Sequence, residues 1–353
     1  MTIDRLPTPS LLLDESIFQA NREAMKSLLK NSSVSLRPHY KSHKCAAIAH
    51  MQIQDGAIGM TCAKLDEAMD LADSGIEDIL IANQIVDSQK LTIGAQLAGN
   101  CRLTVCVDDR DNIAAWEKAA AYAGTTVHCL IEYEIGMQRC GVTEIPDVIA
   151  LAEQISECPH LQFDGIQAYA GHVSHMEKTE DRRRYTMENS RKLRILLEEL
   201  KNTGFHIRTV SGGSTGTAAL KASEGLYTEL QAGSYLFMDA TYRTLDLPFR
   251  NALTVLSTVV SAKSGLIVVD AGVKSCGVDQ GMPVPIGLTA EKIVASEEHF
   301  QLHRPDRMFR VGERIRLIPG HCCSTVNLYD KIYLTDGDTV IDRIAVTARG
   351  CCR

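Results

Sequence analysis

The chain has 353 residues, of which 45% are hydrophobic and 23% are charged, and this balance excludes disordered, collagen-like and coiled-coil proteins. The 37 Lys and Arg against 44 Asp and Glu give a formal net charge of −7 without a basic cluster, so we expect neither nucleic acid nor a membrane as a partner. No apolar run approaches the roughly 20 residues of a membrane span, and no secretory signal is visible, so the 12 cysteines are expected to be reduced thiols of a cytoplasmic protein.

Short β-branched runs alternate with stretches of helical period over the first two thirds of the chain. Repeated βα units predict a parallel sheet, and eight of them favour a closed (β/α)8 TIM-type barrel of the α/β class. The predicted strands are residues 34–38, 57–61, 78–81, 102–107, 126–132, 162–168, 207–210 and 226–231. The predicted helices between them include 63–71, 110–123, 145–155 and 182–202.

After about residue 245 the pattern changes to strands joined by turns. The predicted strands here are 252–260, 266–270, 310–319, 331–334 and 340–348. We therefore expect a barrel at 16–245 and a mostly-β C-terminal domain at 246–353. The strand-like segment within residues 1–15 is expected to join the β domain.

A lysine closes the first predicted strand, in the segment Arg37-Pro-His-Tyr-Lys41-Ser-His-Lys44. Chemistry in such barrels lies at the C-terminal ends of the strands. A desolvated lysine beside other cations loses its proton and becomes an amine nucleophile that can form a Schiff base. A solvated basic loop is the alternative interpretation of this segment.

Small residues follow the seventh and eighth predicted strands. Glycine backbone N–H groups and Ser or Thr hydroxyls form a nest for phosphate, and loops seven and eight are the usual phosphate site of these barrels. A plain flexible turn is the alternative. The residues are Ser211, Gly212, Gly213, Ser214, Thr215, Gly216 and Thr217, followed by Gly233, Ser234 and Tyr235.

Arg139 lies past the fifth predicted strand between glycines, where a guanidinium could face a ring nitrogen or a carboxylate, or remain a surface group. His172 and His175 follow the sixth strand beside Tyr169. They are candidates for a general base, or for one base and one group near a metal, and a structural histidine is the alternative.

His321 and Cys323 follow an apolar predicted strand of the second domain. In an extended chain, side chains two positions apart face the same side. Imidazole and thiolate are ligands that suit zinc. A buried thiol pair beside a structural histidine is the alternative.

A strand-end lysine, a phosphate nest and a trailing β domain together suit pyridoxal 5′-phosphate (PLP). Over nearly its whole length the chain resembles the D-threonine aldolase and D-serine dehydratase-like family, PLP enzymes of the alanine-racemase barrel class (fold type III). The matching stretches are Thr8-Pro-Ser-Leu, the Lys41 segment, Gly136-Met-Gln-Arg-Cys-Gly-Val142, Gly212-Gly-Ser-Thr-Gly216, Tyr227-Thr-Glu-Leu-Gln-Ala-Gly-Ser-Tyr235, Asp270-Ala-Gly-Val-Lys274 and Pro319-Gly-His-Cys-Cys-Ser-Thr-Val-Asn327.

The resemblance implies a role for each candidate. Lys41 would bind PLP covalently, Arg139 would face the pyridine nitrogen, and Tyr169 would flank the cofactor. The small residues 211–217 and 233–235 would hold the phosphate. His321 and Cys323 would bind a divalent metal, zinc or manganese with magnesium as a further option, and His175 would remove the substrate's hydroxyl proton. The resemblance also implies a homodimer.

Two reactions on β-hydroxy-D-amino acids remain open under this resemblance. Retro-aldol cleavage gives glycine and an aldehyde, whereas dehydration gives an α-keto acid and ammonia. The His321-Cys-Cys323 segment resembles the dehydratase branch, which carries His-x-Cys where aldolases carry His-x-Asp. The longer flanks, Thr325-Val-Asn-Leu-Tyr-Asp330 and Phe237-Met-Asp239, resemble the aldolase branch, so we predict an aldolase.

One residue assignment and two alternative functions stay open beside the aldolase prediction. Ala170 stands where aldolases can carry a histidine, and His172 is a candidate replacement for it. An amino-acid racemase or a non-catalytic PLP-binding protein could share the barrel and Lys41. Neither would need the pair His321 and Cys323, so metal content distinguishes them from a lyase.

Overall fold

The computed structural model describes residues 1–353, and they form two compact units. We call them the β unit (Met1–Met25, Ser42–Ala47 and Ser234–Gly350) and the barrel unit (Lys26–Lys41, Ile48–Gly233 and Cys351–Arg353). The strands are β1 (Ser10–Asp14), β2 (Ser35–Leu36), β3 (Met60–Cys62), β4 (Asp78–Ile81), β5 (Arg102–Val107), β6 (Val127–Glu132), β7 (Leu161–Ala168), β8 (Thr209–Gly212), β9 (Glu229–Leu230), β10 (Leu253–Lys263), β11 (Leu266–Val269), β12 (Val284–Pro285), β13 (Ala290–Ala295), β14 (Phe300–Pro305), β15 (Arg314–Ile318), β16 (Lys331–Asp336) and β17 (Thr339–Ala345).

The α-helices are α1 (Glu15–Leu29), α2 (Ala46–Gln54), α3 (Leu65–Asp73), α4 (Ser88–Leu97), α5 (Arg110–Ala123), α6 (Ile145–Glu157), α7 (Thr179–Asn202), α8 (Ala218–Glu224) and α9 (Cys322–Val326). None of them combines the length and apolar character that crossing a membrane requires.

The barrel unit contains eight parallel strands in the order β2-β9-β8-β7-β6-β5-β4-β3. A parallel bridge between His39 and Thr61 joins the chain after β2 to β3, so the two ends of the sheet meet. The buried side chains of Leu80, Cys106 and Leu130 pack together on three adjacent strands. The prediction of a (β/α)8 TIM-type barrel is confirmed.

Helix α5 shows why part of this pattern is readable from sequence. Asp109 caps its N-terminus by accepting hydrogen bonds from the backbone N–H groups of Asp111 and Asn112. Gly124 ends the helix in the left-handed conformation at φ 66°, which glycine adopts without steric cost. The helix therefore occupies 110–123, as the sequence predicts.

The first and eighth barrel strands are much shorter than their predicted ranges 34–38 and 226–231. Each has two residues, and they pair with each other over Ser35–Glu229 and Leu36–Leu230, while β9 also pairs with β8. Pro38 has no N–H to donate, so the regular ladder of β2 cannot continue through it. The chain instead turns through a short 3-10 helix at Tyr40–Ser42, which carries Lys41.

The β unit is built around β1, which pairs antiparallel with β10 and parallel with β16. Leu11 and Leu13 of β1 and Leu253 of β10 are completely buried, so the strand that begins the chain lies in the core of this unit. The hairpin β13–β14 is absent from the predicted elements. The exposed charged side chains of Glu291, Lys292 and Arg304 interrupt its apolar residues, so neither strand is apolar throughout its length.

Candidate functional site

A cavity of about 250 Å³ opens where the barrel strands end. Lys41, Arg139 and Tyr169, which the sequence places after three different strands, all line it. Their neighbours in the wall are His39, Asn83, Gln167 and Gln231. The structure thus brings three of the predicted cofactor-binding residues to one place, with no carboxylate among the lining side chains.

The backbone at Lys41 is held by contacts of the two residues that precede it. The preceding Tyr40 is completely buried, and its hydroxyl hydrogen-bonds the Asp70 carboxylate of α3. The Lys41 N–H donates to Nδ1 of His39 at 3.4 Å. These contacts fix the turn that carries Lys41. The half-buried Lys41 side chain lines the cavity.

Arg139 lies in the loop between β6 and α6 and is positioned by an aromatic ring and a carboxylate. Its guanidinium carbon is 5.9 Å from the centroid of the Tyr169 ring, and its Nη2 is 4.0 Å from Oε1 of Glu132. Burial raises the pKa of Glu132, whereas a 2.6 Å hydrogen bond from Gln84 and the charge of Arg139 oppose that rise. Gln84 and Glu132 thus form a hydrogen-bonded pair next to the Arg139 guanidinium.

The predicted phosphate loop, Ser211–Thr217, is buried throughout. Ser214 and Thr217 bond each other in a capping box, which makes the loop rigid. The Thr215 hydroxyl, by contrast, is buried without a hydrogen-bond partner. A buried hydroxyl normally has one, so a phosphate oxygen there would complete it, and the loop fits the phosphate of PLP.

The loop is connected to the cavity by a buried amide network. Gln231 donates to Gln167 at 2.7 Å and to Ser211 Oγ at 2.8 Å. Gly233 ends the barrel unit, while Ser234 and Tyr235 belong to the β unit. Gln167 was not among the predicted site residues, although it lies near the end of β7 and precedes Tyr169 by two positions, the spacing that puts side chains of an extended chain on one face.

The two histidines after β7 differ in exposure. His172 is largely exposed in a 3-10 turn. The partial burial of its ring, together with Lys192, lowers its pKa, although Glu134 acts in the opposite direction. His175 is half-buried just before α7. Neither belongs to the side chains that line the 250 Å³ cavity.

The predicted metal pair lies at the start of α9 in the β unit. His321 is the N-cap residue and Cys323 is in the first turn, so the two are not in the extended segment that the sequence suggests. The turn still brings them together, because the Cys323 side chain hydrogen-bonds His321. Cys323 Sγ also lies 3.6 Å from Ser42 Oγ and 3.8 Å from Ser234 Oγ.

A carboxylate orients the histidine of this pair. Asp279 Oδ2 accepts from Nδ1 of His321 at 2.7 Å, which leaves Nε2 as the ring nitrogen for a ligand. Burial lowers the pKa of His321, but Cys323 and Asp279 outweigh burial and raise it to about 9. Imidazole and thiol are donors that suit zinc, yet no group of three or more His, Cys, Asp or Glu side chains that could hold a metal ion is present. A metal would therefore need water or substrate as further ligands.

Comparison with known proteins identifies the family of this chain. Residues 13–241 match the model of the alanine racemase N-terminal domain, and residues 252–335 match that of a putative serine dehydratase domain. The chain is 37% identical to D-threonine aldolase of Arthrobacter sp. over 99% of its own length and 94% of that protein. The chain belongs to the D-threonine aldolase and D-serine dehydratase-like family. This membership confirms the prediction of a PLP-dependent lyase.

The more similar family members are aldolases. The chain is 36% identical to 3-hydroxy-D-aspartate aldolase of Paracoccus denitrificans (strain Pd 1222), over 99% of this chain and 94% of that protein. The crystal structure of D-threonine aldolase from Filomicrobium marinum superposes with a TM-score of 0.96 at 36% identity, covering 100% of this chain and 98% of that one.

A dehydratase of the family is less similar. D-threo-3-hydroxyaspartate dehydratase from Delftia sp. HT23 superposes with a TM-score of 0.88 at 26% identity, covering 98% of each chain. One structure of a D-threo-3-hydroxyaspartate dehydratase is a cysteine-to-alanine mutant described as metal-free. The order of similarity supports the aldolase prediction.

Proposed function

We propose that the protein cleaves β-hydroxy-D-amino acids by a retro-aldol reaction that depends on PLP and a divalent metal, and yields glycine and an aldehyde. One observation carries the proposal. Lys41, Arg139 and Tyr169 meet in one cavity, in a chain that is 37% identical over 99% of its length to D-threonine aldolase.

The cavity residues bind and orient the cofactor in this proposal. Lys41 would hold PLP covalently, Tyr169 would flank its ring, and the loop Ser211–Thr217 with Gly233 would hold its phosphate. When bound, PLP supplies an acceptor for the electron pair released at the substrate's Cα. Arg139 keeps a permanent positive charge that opposes protonation of a facing ring nitrogen.

His175 and the metal pair act on the substrate's hydroxyl group. An imidazole nitrogen of His175 takes the β-hydroxyl proton, the Cα–Cβ bond breaks, and the carbonyl of the aldehyde forms at Cβ. The electron pair stays with Cα, which gains a proton to give glycine. His321 and Cys323 would hold a metal that acts as a Lewis acid on the hydroxyl oxygen.

The product distinguishes the proposed reaction from its alternatives. Incubation with D-threonine is expected to release glycine and acetaldehyde in equal amounts, with no ammonia. D-Serine and D-3-hydroxyaspartate extend the panel to substrates of different side-chain size and charge. Formation of a keto acid and ammonia without glycine would contradict the proposal, and conversion to the L-amino acid would indicate a racemase.

Dehydration is the second candidate, and the cysteine of the metal pair favours it. The segment His321-Cys-Cys323 resembles the dehydratase branch, which carries His-x-Cys where aldolases carry His-x-Asp. In dehydration Lys41 would take the α-proton and the metal would assist departure of hydroxide. The keto acid and ammonia in the same assay would establish this reaction.

Replacement of His175 by alanine tests the assignment of the base. We expect aldehyde release to decrease about 10²- to 10⁴-fold, because the hydroxyl proton loses its acceptor. The absorbance of bound PLP is expected to stay unchanged, since His175 does not line the cavity of Lys41. The matched control is His206→Ala, which removes an exposed imidazole of the same unit. Undiminished aldehyde release by His175→Ala would assign the base to another residue.

A further inference from the structure

Lys221 of α8 is buried, with a relative exposure of 1%, and the reaction described above does not use it. Its ammonium donates to Tyr227 Oη at 2.6 Å and lies 3.9 Å from the centroid of the Tyr227 ring. The Tyr227 hydroxyl in turn donates to the carbonyl of Ala168 at 3.1 Å. The cation thus rests on a neutral hydroxyl and an aromatic face instead of a carboxylate.

A buried ammonium without a bonded carboxylate is energetically unfavourable. Burial lowers the pKa of Lys221 to about 8, with Glu224 acting in the opposite direction from the same helix. Glu224 itself accepts a 2.5 Å hydrogen bond from Ser190 of α7. The Tyr227 hydroxyl stays neutral, because burial raises its pKa far above the ordinary value. Lys221 therefore has no bonded anion of its own chain.

The Lys221 and Tyr227 side chains pack directly against the phosphate loop. A Cβ added to Gly213 would lie 3.1 Å from Cδ of Lys221, and one added to Gly212 would lie 2.9 Å from Cε1 of Tyr227. Gly213 also has φ +76°, in the left-handed region that favours glycine. The backbone of this loop can approach the two side chains so closely only because both positions are glycine.

Two buried groups that lack a bonded anion therefore lie at the same loop. One is a buried cation without a bonded anion, and the other is the Thr215 hydroxyl, which is buried without a partner. Both are satisfied by an anion that accepts hydrogen bonds, and phosphate is such an anion. A purely structural lysine would explain neither the missing carboxylate nor the unpartnered hydroxyl.

We propose that Lys221 is a positioning residue and the buried counter-charge for the phosphate group of PLP in the loop Ser211–Thr217. The lysine acts in two ways. Through Tyr227 and its own stem it sets the path of Gly212 and Gly213, and its charge favours the phosphate dianion over an uncharged group. The inference rests on PLP being the cofactor of the proposed lyase.

The test compares PLP with pyridoxal, which lacks the phosphate, in the wild type and in Lys221→Met. Affinities are measured by absorbance titration after the cofactor has been removed from the holoenzyme. The ratio of PLP to pyridoxal affinity is expected to fall roughly 30-fold in the variant, the factor for one buried charge several ångström from an anion. Lys201→Met, which removes an exposed lysine of α7, is expected to keep the wild-type ratio.

The pH dependence gives a second measurement that a structural role would not produce. In the wild type the ratio is expected to decrease from about pH 7 to about pH 9.5, because Lys221 loses its proton as the pH passes about 8. Lys221→Met is expected to show a flat ratio over this range. Any titration of Lys41 affects both ligands and therefore cancels in the ratio.

An unchanged ratio of PLP to pyridoxal affinity in Lys221→Met, including the case in which both affinities fall equally, would overturn this inference alone. A wild-type protein that binds no PLP would overturn the cofactor assignment and this inference together. If Lys221→Met does not fold, Tyr227→Phe can replace it, since this variant keeps the ring and removes only the hydroxyl. The pH profile of the wild-type affinity ratio tests the inference without any variant. A flat wild-type ratio would then contradict the role of the lysine charge.

Discussion

Replacement of Lys41 by alanine is expected to abolish turnover, with a decrease on the order of 10⁴-fold or more, since no other amine lines the cavity at a strand end. The absorbance band of PLP bound to a lysine is expected to disappear at the same time. Both readouts depend on the proposed covalent bond, so we expect them to be lost together. The measurements are the absorbance spectrum of the purified protein and aldehyde release from D-threonine.

Lys30→Ala provides the matched control for this variant. Lys30 is exposed beyond the end of α1, so its loss removes an amine without affecting the cavity. The control is expected to keep both the band and the activity. A Lys41→Ala protein with full activity would refute the covalent role of this lysine, because an unanchored cofactor could not account for the wild-type rate.

The second large effect is expected from His321→Ala and Cys323→Ala. Each removes one of the two proposed protein ligands, so we expect bound metal to fall below stoichiometric amounts and activity to fall about 10²-fold or more. Added metal is expected not to restore the rate at concentrations that saturate the wild type. The measurements are elemental analysis of the protein as purified and product formation with and without added metal.

Cys322 offers a control within the same turn. Its side chain is completely buried next to Cys323, and the hydrogen bond with the Cys323 thiol, followed by burial, raises its pKa well above the ordinary value. A protonated, inaccessible thiol is a poor metal ligand. Cys322→Ala is therefore expected to keep its metal, whereas metal-free wild-type protein with a normal rate would contradict the role of the pair.

Local sequence patterns predict the regular elements well where the chain supplies its own boundaries. Asp109 and Gly124 delimit α5 through hydrogen bonds and a left-handed turn that involve only neighbouring residues. Strand β5 matches its predicted range 102–107 because an apolar run is bounded by polar residues at both ends. The lengths of the two-residue strands β2 and β9 were overestimated, since the length of each depends on how far it can pair with its neighbouring strands.

The candidate site divides in the same way. Lys41 and the small residues of 211–217 are visible in sequence, because their residue types at the ends of strands indicate the chemistry directly. Asp279, Glu132 and Lys221 were not among the predicted site residues. Asp279 is 42 positions from His321, and a lysine on a short helix is typical of a solvated surface.

The sequence by itself determined the family, the barrel and the residue types that can bind PLP, because strand periodicity and local motifs depend on near neighbours in the chain. Only the tertiary structure decided which groups share a cavity, which carboxylate orients His321, and that Lys221 is buried against the glycines of the loop Ser211–Thr217. Burial and hydrogen bonding between residues far apart in the chain arise only when the elements pack, and local periodicity carries no information about them.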